Sequence, residues 1–211
     1  MTRIKTCGIT SLDDARLCAD LGAWALGLIF WPDSPRACAI EDAEAIGATM
    51  HRRAEIAGVF VNATLDEVAA TADRVGLTLL QLHGDEGPAY CAEAARRTGC
   101  KVMKATRVKD PAQVRALRAF HTDLHLLDAY VPRSPGGTGE TFSWELAKLH
   151  EGPAEVVLSG GLTPDNVAEA IELARPFAVD TASGTEASPG KKDPRLVEAF
   201  FRAVERVQAP A

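Results

Sequence analysis

Eight short apolar runs alternate with eight amphipathic segments along the chain, and no other feature limits its fold so strongly. The runs lie at residues 4–8, 25–30, 56–61, 78–83, 102–106, 124–128, 155–159 and 178–182, each of strand length. The segments that follow them, at 12–21, 40–50, 65–75, 88–97, 111–121, 143–149, 164–174 and 194–207, have the lengths and apolar spacing of helices. Their starts agree. Thr64 stands three residues before Glu67, the arrangement of a capping box, and Pro88, Pro111, Pro164 and Pro194 occupy first-turn positions that tolerate proline.

A strand, a helix and a strand in succession cross over right-handed into a parallel sheet. Eight such units in 211 residues predict an α/β protein, a (β/α)8 or TIM barrel, with residues 1–211 forming a single domain. An open doubly wound sheet would more often carry G-x-G-x-x-G after its first strand, and Cys7-Gly8-Ile9 is not such a turn. No Pro/Ser-rich linker marks a boundary.

Composition excludes several functions. The net charge is −6 and basic residues do not cluster, which speaks against a nucleic-acid partner. No apolar stretch approaches the roughly 20 residues of a membrane span, and MTRIKTCGIT lacks the pattern of a signal peptide. Five cysteines, an odd number without a C-x-x-C pair, suggest reduced thiols and a cytoplasmic location.

In a barrel of this class the active site lies where strands hand over to the following loops. Here those positions hold Cys7, His83, Asp128, Gly160 and Gly161, then Asp180, Ser183 and Gly184. The turns LSGGLTPDNV (158–167) and TASGTEASPGKKD (181–193) follow strands seven and eight, the usual place of a phosphate cradle made of backbone N–H groups. Cys7 and Asp128, on strands one and six, face each other across the mouth. A thiolate base and a carboxylic acid beside a sugar phosphate suggest proton transfer, an isomerisation. The other four cysteines read as small buried hydrophobes.

Three further residues keep two readings each. Arg36, stiffened by Pro35, either grips a planar carboxylate or is a solvated surface arginine. His83 polarises a substrate group or caps its own loop, and Asp180 anchors ribose hydroxyls or accepts bonds from the following turn. Lys5, two residues before Cys7, shares its face and needs an acidic partner if that face is the barrel interior. Its charge either helps hold Cys7 as thiolate or forms a structural ion pair only.

Taken together, KTCGIT (5–10), FWPDSPR (30–36), GVFVN (58–62), LQLHGDE (80–86), LLDAYVPRSPGGTGETFSW (126–144), LSGGLTPDNV (158–167) and VDTASGTEASPGKKD (179–193) resemble the phosphoribosylanthranilate isomerase family of tryptophan biosynthesis. The resemblance spans the whole barrel top. It implies no metal and no organic cofactor, a small-molecule substrate, phosphoribosylanthranilate, and its Amadori rearrangement to 1-(2-carboxyphenylamino)-1-deoxyribulose 5-phosphate. By the same similarity Asp128 is the general acid, Cys7 the general base and Arg36 the clamp on the anthranilate carboxylate. Gly160, Gly161, Ser183 and Gly184 look like the phosphate cradle, and His83 and Asp180 match family positions at the site. The chain departs mildly, with Lys-Thr before the first cysteine and Thr-Ala-Ser in the last turn. Ala- and Leu-rich helix faces fit a monomer or a homodimer.

Related reactions fit less well. An indole-glycerol-phosphate synthase wants a lysine acid at a strand end, the histidine-pathway isomerase an aspartate where Cys7 stands, and a metal-dependent epimerase clustered His and Asp ligands that the five histidines do not supply. A barrel that only binds a phosphorylated ligand would keep the glycine turns without needing both an acid and a base.

Overall fold

The first strand pairs with the eighth, and that closure brings residues 175 positions apart into contact. In the computed structural model, which describes residues 1–129 and 144–208, eight parallel strands form one closed barrel in chain order. They are β1 (Arg3–Cys7), β2 (Ala25–Ile29), β3 (Glu55–Phe60), β4 (Leu79–Leu82), β5 (Lys101–Val108), β6 (Leu124–Ala129), β7 (Glu155–Ser159) and β8 (Ala178–Thr181). The register of β1 on β8 sets Lys5 beside Asp180.

Helices cover the outside: α1 (Leu12–Asp20), α2 (Ile40–Met50), α3 (Leu65–Val75), α4 (Pro88–Thr98), α5 (Pro111–Ala116), α6 (Val167–Ala174) and α7 (Pro194–Gln208). Their starts follow local chemistry. The Glu67 N–H donates to Thr64 Oγ1 at 3.2 Å while the Thr64 N–H donates to Glu67 Oε2 at 2.8 Å, the expected capping box. Pro88, Pro111 and Pro194 open α4, α5 and α7.

Strand alternation divides the core in two. Ala57, Leu79, Met103, Ala105, Leu124, Leu126, Val157 and Ala178 pack inside the barrel, small residues beside large ones so that the narrow interior fills. Outward residues of the strands, such as Leu26, Ile56, Leu80, Val102, Leu127 and Val179, join the buried faces of the helices in a larger outer core. The N-terminal end of the barrel is shut by apolar rings: Trp24 and Phe177 meet edge to face at 5.3 Å, with the Arg3 guanidinium 4.6 Å from the Phe177 ring.

The structure departs from the sequence expectations at four places. The seventh helical segment starts at Val167 rather than Pro164, because Asn166 takes the Thr163 N–H on its Oδ1 and donates its own amide to Gly161 O, holding residues 163–166 in a turn. The fifth shortens to α5 plus a 3-10 turn at Leu117–Ala119, leaving the helix before Phe120, whose carbonyl faces His125 Nε2 at 3.2 Å. The sixth, expected at 143–149, is a 3-10 turn at Trp144–Leu149; its first residue, Ser143, lies outside the described residues, as does 130–143 of the LLDAYVPRSPGGTGETFSW motif. A hairpin, β9 (Glu186–Ser188) and β10 (Lys191–Lys192), occupies a stretch read as turn alone.

Candidate active site

Period-two alternation aims the inward residues of the last strand layer at the C-terminal mouth. There Cys7, Arg36, His83, Asp128, Gly160, Gly161, Asp180 and Ser183 line a single cavity of about 240 Å³. Gly184, the remaining residue expected there, does not line it. A Cβ on Gly184 would stand 1.9 Å from Leu162 O, so glycine at this position lets the turn after β8 close against the loop after β7. Gly160 and Gly161 adopt positive φ of 95° and 66°, a path open to glycine that turns the backbone of this wall sharply.

Cys7 sits at the end of β1 with its Sγ against the bare Cα of Gly27 on β2. A Cβ on Gly27 would lie 2.7 Å from that sulfur and 2.9 Å from Lys5 Nζ. Lys5 is buried in the barrel interior, as its spacing from Cys7 required, and its acidic partner is Asp180, with Nζ donating to Oδ1 at 2.9 Å. Ser159 donates to the other carboxylate oxygen at 3.2 Å. Burial alone would strip the Lys5 proton, but the attraction of Asp180 and then Cys7 outweighs it and holds the ammonium above its ordinary range.

The expectation that Lys5 holds Cys7 as thiolate is met in direction and outweighed in sum. Burial pushes the Cys7 thiol up, Lys5 pulls it down, the Asp180 carboxylate pushes it up again, and the balance stands above the ordinary thiol value.

Arg36 reaches the cavity from the loop after β2. Its guanidinium forks onto Glu186 of the β9–β10 hairpin, Nε donating to both carboxylate oxygens at 2.9 Å and Nη2 standing 2.8 Å from Oε2. Lys192 lies behind this pair, 3.4 Å from Glu186 Oε1, and donates from Nζ to Cys7 O at 2.7 Å and to Ala182 O at 3.1 Å. Glu186 and Lys192 escaped sequence reasoning. The only signal available was that a KK pair beside a buried strand end needs partners. On the opposite wall His83 Nε2 lies 3.3 Å from Asp128 Oδ2, and Gln81 Nε2 lies 3.2 Å from His83 Nδ1.

A further network, also absent from the sequence reading, fixes the loops after β3 and β4. Glu86, buried, accepts from the Asn62 N–H at 2.8 Å, the Gly84 N–H at 2.9 Å and Lys104 Nζ at 2.8 Å. Lys104 also donates to Leu82 O and Gly84 O. Among the described residues, no group of three or more His, Cys, Asp or Glu side chains is placed to hold a metal ion, and no helix is long and apolar enough to cross a membrane.

A closed eight-stranded barrel with a thiol, a carboxyl, an arginine and two glycine turns gathered at the C-terminal strand ends defines a (β/α)8-barrel enzyme. Comparison with known proteins narrows the class. The family model for N-(5'-phosphoribosyl)anthranilate (PRA) isomerase matches residues 4–203. The N-(5'-phosphoribosyl)anthranilate isomerase of Citrifermentans bemidjiense is 46% identical over 207 residues, covering 98% of each chain. The crystal structure of phosphoribosyl anthranilate isomerase from Thermotoga maritima superposes with a TM-score of 0.86 at 40% identity, over 98% of this chain and all of that one. A second isomerase structure, in complex with reduced 1-(o-carboxyphenylamino)-1-deoxyribulose 5-phosphate, gives 0.84 at 37%, with the same coverage. The chain belongs to the phosphoribosylanthranilate isomerase family.

Proposed function

We propose that this protein converts N-(5-phosphoribosyl)anthranilate to 1-(2-carboxyphenylamino)-1-deoxyribulose 5-phosphate in tryptophan biosynthesis, with Asp128 as general acid and Cys7 as general base. The observation that carries the reading is that both groups line one cavity together with residues of the glycine turns after β7 and β8. Asp128 donates a proton to the furanose oxygen, the C1–O bond breaks, and the anilino nitrogen supplies the electron pair of the resulting Schiff base. The thiolate form of Cys7, which burial disfavours in the ligand-free site, takes the proton from C2 to give an enolamine, which tautomerises to the ketone. The turns containing Gly160, Gly161, Ser183 and Gly184 take the phosphate on backbone N–H groups, where a neutral donor set suits a dianion. Arg36 clamps the anthranilate carboxylate, its orientation fixed by Glu186. His83 and Asp180 complete the binding wall. No metal or organic cofactor enters these steps. The five free thiols fit a reducing cytoplasm.

Fluorescence-monitored turnover of freshly generated phosphoribosylanthranilate tests the proposal. Wild type should consume the signal, while Asp128→Asn and Cys7→Ala should each lose about 10²–10⁴-fold in kcat with the fold retained. A Cys7→Ala protein with full turnover would remove the thiol from the mechanism. Substrate binding without conversion by wild type would leave a phosphate-binding barrel.

A further inference from the structure

Gln81 lines the mouth, and the reaction above gives it no task. It lies on β4, two positions before His83, so both side chains point into the barrel, and only 2% of its surface is exposed. Its Oε1 is buried without a hydrogen-bond partner among the described residues. An unsatisfied buried oxygen is destabilising, and an apolar residue here would avoid that cost. Something other than stability favours an amide.

The amide faces His83. Gln81 Nε2 carries only donors, and it lies 3.2 Å from His83 Nδ1. A donor opposite Nδ1 requires that nitrogen to present its lone pair, so the proton of the neutral ring sits on Nε2. Nε2 in turn stands 3.3 Å from Asp128 Oδ2. The two are close without being aligned as a hydrogen bond, which leaves Nε2 unsatisfied in the ligand-free site. Such contacts tighten when substrate binds. The opposite orientation of the amide would draw the ring proton to Nδ1 and leave a bare Nε2 facing Asp128, an acceptor that would take the acid's proton on Oδ2 and divert it from the substrate.

We propose that Gln81 is a positioning residue: its amide fixes His83 in the Nε2–H tautomer, and that N–H holds Oδ2 of Asp128 so that Oδ1 carries the catalytic proton to the substrate. The proposal rests on Asp128 acting as the acid. Gln81 acts only through His83, and a residue that selects an imidazole tautomer affects the chemical step far more than substrate binding.

Nitrogen-15 spectra of histidine-labelled protein, with the His83 signals assigned by their loss in His83→Ala, read the tautomer directly. Wild type should show a protonated Nε2 and a lone-pair Nδ1; Gln81→Glu should move the proton to Nδ1; Gln81→Met should give a mixture. In turnover, Gln81→Met should lower kcat about tenfold or more, a part of the acid's contribution, with KM little changed. The same substitution in a His83→Ala background should cost nothing further. An Nδ1-protonated ring in a wild-type protein that turns over normally would overturn the proposal alone. So would an equal loss of kcat in both backgrounds. A wild type without turnover would refute the assigned reaction, and this role with it, while the spectrum still reported the Gln81–His83 contact.

Discussion

Lys5 and Lys104 are both buried strand lysines paired with a carboxylate, yet they stand on opposite faces of the barrel wall. Lys5 points inward from β1 and meets Asp180 across the β1–β8 seam, directly under Cys7. Lys104 points outward from β5 and meets Glu86 together with the backbone carbonyls of Leu82, at the end of β4, and Gly84, in the loop after it. One residue of strand parity separates a charge that acts on the Cys7 thiol from a charge that ties loops to the wall. For Lys5 the Asp180 carboxylate and then Cys7 offset the burial that would otherwise disfavour the ammonium.

Breaking each pair measures that difference. Lys104→Met leaves Glu86 buried with two backbone N–H donors and no cation. It should cost about 3–5 kcal/mol in urea unfolding, the scale for a broken buried pair, and loosen the loops after β3 and β4. The Cys7 titration should stay where it is. Lys5→Met should cost a similar or smaller amount, because Ser159 still donates to Asp180, and it should raise the titration midpoint of Cys7 by removing the largest influence that lowers it. Thiol alkylation against pH reads the midpoint, and an unmoved value would make Lys5 structural only. Because the wild-type thiol already stands above its ordinary value, kcat/KM should climb with pH on the alkaline side of neutrality, and in Lys5→Met the climb should move to higher pH.

His125 sharpens the contrast with a smaller effect. It is buried on β6 and faces His150 at 2.7 Å and the carbonyl of Phe120. Burial, reinforced by His150, pushes it down from 6.5 to about 4. The folded protein thus binds fewer protons here than the unfolded chain, so stability is full above about 6.5 and declines as pH falls toward about 4. The loss should be on the order of 1–3 kcal/mol, and His125→Asn should flatten urea midpoints measured across that window.

The sequence showed some of this arrangement and hid the rest for physical reasons. Lys5 announced its need for an acidic partner through its spacing from Cys7, but Asp180 lies 175 residues away, and only barrel closure selects it. Thr64 and Glu67 were readable as a cap because both partners lie within one turn. Pro164 misled, since the Asn166 side chain closes a turn that competes with the first helical turn. Glu186 was invisible as the partner of Arg36 because it comes from a hairpin 150 residues downstream, in a stretch whose composition reads as turn.

What the sequence determined by itself is whatever depends on near neighbours: the eight alternating units, hence the parallel barrel, the helix starts, and the thiol, carboxyl and glycine turns at the strand ends. Tertiary structure decided which of those groups meet. Asp180 under Cys7, Glu186 on Arg36 and Gln81 behind His83 toward Asp128 depend on strand register around a closed ring. It also decided that the thiol is shifted upward, because burial and the charges that oppose it exist only once the ring has closed.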